Sequence, residues 1–295
     1  MKILVLGATG MLGHKMFQIL RERFPDTHGA IRSSINDPRW RKVTLFQRGN
    51  VIDHFDAAET ARARKILLDL RPQVIVNCVG LIKQRSEAKD AAANIALNAL
   101  LPHQLAEICG EYGARLIQIS TDCIFSGSRG NYTEEDPSDA EDLYGRTKYL
   151  GEVARENTLT LRTSIIGREL IHRQSLLEWF LSQNSAKVRG FKHAWYSGVT
   201  TNHLAEAVGD LIQKFPGMSG LYQLTSPTIT KYELLCLLRE AYQLHIEIVP
   251  DESFYCNRSL DGDKFNRETG YQSPPWPTLV ERLVDDPTPY QLWRN

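Results

Sequence analysis

Unbroken apolar runs of four to six residues alternate with longer stretches in which apolar residues recur every three or four positions. "KILVL" (2–6) ends at a glycine and gives way to "MLGHKMFQILRERF", whose apolar positions share one helical face. That order predicts strand, turn, helix. "THGAI", "KVTLF", "QVIVNCV" and "RLIQIS" predict four further strands, with helices over "ARKILLDL" and over "ALLPHQLAEICGEYG", which ends at Gly113. "TLTLRTSII" predicts a sixth strand. The strands lack clean polar alternation, as expected where helices cover both faces of a parallel sheet. Residues 1–165 therefore read as a doubly wound parallel α/β domain.

Beyond residue 165 the order is less regular. "SLLEWFLSQ", "NHLAEAVGDLIQKF" and "KYELLCLLREAYQ" are amphipathic helices, "GLYQLTS" and "HIEIV" short strands, and "YQSPPWPTLVERLV" a proline-rich entry to a helix. Residues 166–295 are expected to form mainly a smaller substrate-binding lobe over the carboxyl edge of the sheet, where ligands of open α/β sheets bind, with the chain free to cross back to the sheet.

Composition narrows the function. Lys plus Arg equals Asp plus Glu at 35 each, so no basic field for nucleic acid or an anionic membrane is expected. No apolar run approaches membrane-spanning length and no signal-peptide pattern precedes the first strand, which points to a cytoplasmic protein. The five cysteines form no C-x-x-C pair, so neither a disulfide framework nor a zinc site is expected.

The first strand runs into "GATGMLG", where Gly7, Gly10 and Gly13 form G-x-x-G-x-x-G at a strand-to-helix junction. The first allows a tight turn, the second lets backbone approach a pyrophosphate, and the third lets helix and strand pack closely. This predicts an NAD(P)-binding Rossmann fold, with Thr9, Met11 and Leu12 of the same turn also at the cofactor. After the second strand, Arg32 and Ser33 stand where an acid would hold the ribose of NAD, and a guanidinium suits a 2′-phosphate, so NADP(H) is expected. Asn50 and Val51 are candidates to flank the adenine, a polar loop being the other reading.

"LIQISTDCIFSG" ends a central strand with Ser120, Thr121 and Asp122 at the carboxyl edge. Tyr144 and Lys148 follow in "YGRTKYLGE", four residues apart and so on one helical face. An ammonium beside a phenol of pKa about 10 favours the phenolate, so Tyr144 is expected to exchange a proton near neutral pH, with Lys148 also holding the nicotinamide ribose. Thr121 would hydrogen-bond the substrate oxygen. The chemistry implied is carbonyl reduction or its reverse.

With "VIVNCVG", "LNALLPHQLAEIC", "LRTSIIG", "GVTTNHLAEAV", "GLYQLTS" and "NRSLDGDKF", these segments resemble the extended short-chain dehydrogenase/reductases, and most closely the dTDP-4-dehydrorhamnose reductase family, from residue 2 to about 285. The resemblance implies NADPH-dependent reduction of the 4-keto group of a nucleotide-linked deoxysugar for polysaccharide biosynthesis. It makes Thr121, Tyr144 and Lys148 the catalytic triad. It places Asn77, Cys78, Val79 and Gly80 in a turn lining the cofactor, together with Asn98, Ser120 and Arg162. It puts Asp122, Cys123, Thr163, Ser164, Val199, Thr200 and Arg258 beside the substrate. Arg162 also reads as a structural ion pair, Thr201 or Asn202 as a helix N-cap, and Arg258 as an exposed arginine.

Departures from the family matter. Cys123 replaces a usual aromatic residue and resembles the cysteine of GDP-fucose synthase-type epimerase/reductases, with His172 as a candidate partner, so a bifunctional epimerase/reductase is one alternative. Another is a non-catalytic NADP-binding regulatory subunit, as in the relative that partners methionine adenosyltransferase. "TDC" lacks the Asp-Glu pair expected of a 4,6-dehydratase. The metal-binding acids of some family members are not recognisable, since His14 and Lys15 follow the third glycine, and no metal is expected. The class allows a homodimer.

Overall fold

A computed structural model describes residues 1–82, 89–171, 173–183 and 186–294. The chain runs β1 (Ile3–Leu6), α1 (Met11–Arg23), β2 (Thr27–Ala30), α2 (Thr44–Gln47), β3 (Val51–Ile52), α3 (Thr60–Leu70) and β4 (Val74–Asn77). It continues through α4 (Ala91–Asn94), a π-helical stretch (Ile95–Leu100), α5 (Leu101–Tyr112), β5 (Arg115–Ile119), α6 (Leu143–Leu150), β6 (Thr158–Arg162) and β7 (Ile165–Ile166). The second half adds α7 (Leu176–Leu181), β8 (Lys187–Tyr196), β9 (Val199–Thr200), α8 (Thr201–Lys214), β10 (Gly220–Gln223) and β11 (Ile229–Thr230). It ends with α9 (Lys231–Ala241), β12 (Glu247–Asn257), α10 (Asp263–Thr269), α11 (Trp276–Val284) and α12 (Tyr290–Arg294).

Among the described residues seven strands form one parallel sheet in the order β10-β6-β5-β4-β1-β2-β3. Strand order reverses between β1 and β4, which opens a crevice at their carboxyl ends. Residues of β1, β4 and β5 alternate between two apolar clusters, one under α1 and α8 (Ile3, Val5, Val76, Ile117, Phe17, Leu204) and one under α3 and α5 (Leu4, Leu6, Ile75, Leu116, Leu67, Leu105). Burial on both faces is why these strands read as continuous apolar runs.

Two expectations are corrected. "KVTLF" is not the third strand: Val43, Leu45 and Phe46 are buried in a turn and short helix, with Phe46 packed edge-on against Trp40, and the strand is Val51–Ile52. Gly49 and Asn50, with φ of 84° and 58°, turn the chain into it. "TLTLRTSII" is broken at Thr163–Ser164, and Ile165–Ile166 leave the sheet to pair with Val199–Thr200.

After β9 the chain returns to the main sheet: α8 packs on α1, and Gly220–Gln223 pair with Leu159–Arg162. The lobe is built on a three-stranded sheet, β11-β8-β12, backed by α7, α9 and α11 around Leu177, Phe180, Leu234, Leu238 and Leu279. Among the described residues no helix is long and apolar enough to cross a membrane.

Candidate active site

Two cavities occupy the crevice. The smaller, about 250 Å³, is lined by Gly7, Thr9 and Gly10, by Arg32, Ser33, Arg39 and Trp40 after β2, by Phe55, Asp56 and Ala57 after β3, and by Cys78–Leu81. The larger, about 310 Å³, runs from Gly10, Met11 and Leu12 past Asn77–Gly80 to Ile119–Cys123, Tyr144, Lys148, Thr163–Ile165 and Glu169. Gly10 and Cys78–Gly80 are shared, so the two cavities lie along one cleft.

The glycine turn has the shape a dinucleotide requires. Gly7 has φ of 75°, and a Cβ there would lie 3.2 Å from the Cys78 carbonyl. A Cβ on Gly13 would stand 2.0 Å from the Gly7 oxygen, so only glycine lets α1 start this close to β1. Gly10 caps α1 without a side-chain hydrogen bond, which leaves the N–H groups of the first turn for an anion. Beside it, Ser33 accepts a 2.7 Å hydrogen bond from the Trp40 indole, and Arg39 is held by Asp37. These residues fit a dinucleotide with a 2′-phosphate.

The catalytic candidates meet in the larger cavity. Thr121 and Tyr144 both line it, and the Thr121 hydroxyl acts on the phenol in the sense that favours its ionised form. Asp142 caps α6 by accepting from the Gly145 N–H at 2.9 Å, which starts the helix immediately before Tyr144. A Cβ on Gly145 would lie 2.3 Å from the Cys123 carbonyl, so this glycine lets α6 seat against the strand end. The Lys148 ammonium donates to the Ile119 carbonyl at 2.7 Å.

The expected acidification of Tyr144 is not present. Burial pushes its pKa above the ordinary phenol value, and Cys123 and Asp122 push it further, against the opposing effect of Thr121. The Lys148 ammonium is turned to the carbonyl of β5 and is itself depressed by burial to about 8. The phenol is therefore protonated at neutral pH, the form a proton donor needs, while burial makes it a weaker acid than it is in water.

Other expectations are redirected. Asn50 and Val51 are not brought to the cleft: Asn50 caps the opposite end of the sheet, donating to the Pro25 carbonyl at 3.0 Å. Asn98, buried in the π-helical stretch, props the cofactor turn by bonding the N–H and C=O of Leu81 at 2.9 and 3.0 Å. Arg162 is 2% exposed and forms a two-pronged ion pair with Glu152, at 2.9 and 2.8 Å, away from both cavities. Glu152 also accepts from Ser120, so this pair braces the strand end that carries Thr121.

Val199 and Thr200 are fully buried in β9, where Thr200 caps α8. Arg258 donates to the Phe125 and Ser126 carbonyls at 2.8 and 3.4 Å and lies 3.7 Å from Cys123 Sγ, tying the lobe to the loop after Thr121. His172 lies outside the described residues. The remaining expected residues line the cleft, except Gly13, which packs behind it. Sequence reading missed Arg39, Asp56 and Glu169. The run "DPRW", a capped turn one step beyond Arg32, carried the only usable signal for the first.

Fold and cleft define a doubly wound α/β protein with a Rossmann-type glycine turn and a Thr/Tyr/Lys centre. Residues 1–288 match the RmlD substrate binding domain family, and the chain belongs to it. It is 35% identical over 152 residues to a dTDP-4-dehydrorhamnose reductase of Streptomyces griseus, covering 51% of this chain and 43% of that protein. The match thus spans less than half the length of that relative. Methionine adenosyltransferase 2 subunit beta of Xenopus laevis is 25% identical, over 95% of this chain and 89% of its own. The solved dTDP-4-dehydrorhamnose reductase of Bacillus anthracis, in complex with NADP, superposes with a TM-score of 0.78 at 18% identity, over 97% of this chain and 99% of that one. That likeness carries the fold.

Proposed function

We propose that this protein is an NADP(H)-dependent oxidoreductase that reduces the 4-keto group of a nucleotide-linked deoxysugar, in the supply of a polysaccharide. The observation that carries the reading is the meeting of Thr121, Tyr144 and Lys148 in the wall of a cavity that continues to the glycine turn. The reductase name of the Streptomyces griseus relative supports it. Residues 1–165 would hold the cofactor and residues 166–295 most of the sugar nucleotide, with Arg32 and Ser33 at the 2′-phosphate.

The cofactor, when bound, supplies the hydride. The Thr121 hydroxyl, which donates to Asp122 at 3.2 Å, would turn its proton to the ketone oxygen and polarise the carbonyl. Tyr144, kept protonated by burial, gives its proton to that oxygen as negative charge develops. Lys148 would hold the ribose hydroxyls of the bound cofactor.

The test is NADPH oxidation by the purified protein against dTDP-, UDP- and GDP-linked 4-keto-6-deoxyhexoses. Turnover of one of them establishes the activity and its carrier; tight NADPH binding with no turnover on any sinks it. A second reading is a subunit that binds the dinucleotide without turning over a sugar, favoured by the match to methionine adenosyltransferase 2 subunit beta along 95% of the chain. It predicts cofactor binding, no turnover and co-elution with a methionine adenosyltransferase. Cys123, in the cavity wall beside Arg258, keeps an epimerase step open to test by solvent-deuterium incorporation into the sugar ring, lost in Cys123→Ser.

A further inference from the structure

Among the described residues two carboxylates stand in the wall of the larger cavity, Asp122 and Glu169, and they are bound differently. Asp122 accepts a hydrogen bond from the Thr121 hydroxyl at 3.2 Å. Glu169 is 6% exposed and engages the protein through one oxygen only: Oε2 accepts from the backbone N–H groups of Gln174 and Ser175 at 2.9 and 3.3 Å. Among the described residues no hydrogen bond to Oε1 is present.

Its backbone is fixed as firmly. The Glu169 N–H donates to Glu178 at 3.0 Å, and its carbonyl accepts from the Arg294 guanidinium, which also pairs with Glu178. A carboxylate oxygen fixed in a cavity wall, with no protein donor among the described residues, takes its hydrogen bond from what enters the cavity. It also repels acceptors, so neither a ketone oxygen nor a phosphate suits it. What suits it is a donor. The same wall contains Thr163, Ser164 and Ile165, next to the strand end that carries the catalytic threonine, so a ligand donor here lies close to the reacting groups.

We propose that Glu169 is a specificity-determining residue whose free carboxylate oxygen accepts a hydrogen bond from an uncharged N–H or O–H donor of a bound ligand, the nicotinamide carboxamide or a sugar hydroxyl. The inference rests on the reductase reading above and deepens it. Glu169 takes no part in hydride or proton transfer; it orients the donor-bearing ring and rejects ligands that present an acceptor at that point.

Glu169→Gln is the informative variant, because one carbonyl oxygen remains to accept from Gln174 and Ser175 while the other position changes from acceptor to donor. Both proteins are titrated with NADP⁺ and with its 3-acetylpyridine analogue, in which a methyl replaces the carboxamide NH₂. If the carboxamide is the donor, wild type binds NADP⁺ about tenfold tighter than the analogue, the usual size of a hydrogen bond to a charged group, and Glu169→Gln binds both alike. If a sugar hydroxyl is the donor, both cofactors bind the two proteins equally and KM for the sugar nucleotide rises about tenfold in the variant. Should the variant fail to fold, the wild-type ratio for the two cofactors, and the wild-type KM ratio for sugars lacking one hydroxyl, read the same contact. Ratios near one in both series overturn the inference, as does unchanged Kd, KM and kcat in a folded variant, and either result leaves the reductase reading standing. A wild-type protein that binds neither cofactor overturns both.

Discussion

Lys15 and Lys148 are both buried on helices at the carboxyl edge of the sheet, at 1% and 7% exposure, and they are held in opposite ways. Lys15 pairs with Asp286 at 2.6 Å and donates to Thr288 and Gln18 at 2.8 and 2.9 Å, which straps the C-terminal segment onto α1. The neighbouring His14 completes the strap through Tyr290 at 2.9 Å. Lys148 meets a carbonyl instead; the nearest acid acting on it, Glu152, is committed to Arg162 and Ser120. Burial lowers both pKa values, but only at Lys15 does a directly bound carboxylate oppose it. A cation whose charge is matched within the fold is structural, whereas one left with only a carbonyl is available to a ligand.

The largest expected separation comes from replacing each lysine by methionine. Lys148→Met should lower kcat about 100-fold or more, the size of a general acid-base contribution, with Tm unchanged or slightly raised because a desolvated charge is removed. Steady-state kinetics and a thermal melt on the same preparation check it. Lys15→Met should do the reverse. It leaves Asp286 buried and unpaired at a cost of about 3 kcal/mol, a fall in Tm on the order of 5–10 °C, while kcat of the folded protein stays within about twofold.

The pH dependence sharpens the same contrast. Lys148 loses its proton near pH 8 in the folded protein and near 10.5 when unfolded, so the unfolded state binds more protons between those values. Its contribution to stability therefore rises with pH across that window. Ketone reduction should move the other way, with kcat/KM falling up to tenfold per pH unit above about 8, and with the inflection absent in Lys148→Met. The smallest effect expected is at the far end of the cleft. Arg32→Ala should weaken NADPH binding about tenfold and leave NADH binding unchanged, measured by fluorescence titration.

Most of the sheet was legible because strands buried on both faces are marked by composition alone, as in "ILVL" and "VIVN". The lobe was harder to read. The buried positions of β8 are Val188, Gly190, Ala194 and Tyr196, so two small residues blur its alternation, and β12 carries Pro250 and a register shift between Asp251 and Tyr255. At the site, residues fixed by local geometry were legible: the glycine turn, and the four-residue spacing of Tyr144 and Lys148. Arg162, Asn98 and Arg258 were not, because a polar residue near a strand end reads the same whether it faces a ligand or braces the groups that do. Only the tertiary partners, Glu152, Leu81 and the Phe125 and Ser126 carbonyls, decide between those roles. Glu169 gave no signal, since its place depends on how the chain turns after β7.

The most direct test of the central claim is NADPH oxidation by wild type and Tyr144→Phe on the sugar nucleotide that turns over, with NADPH affinity measured on the same samples. The account predicts a loss in kcat of about 100-fold or more, with NADPH Kd nearly unchanged. A variant that oxidises NADPH at the wild-type rate would contradict it, because the proton would then come from a group other than this phenol.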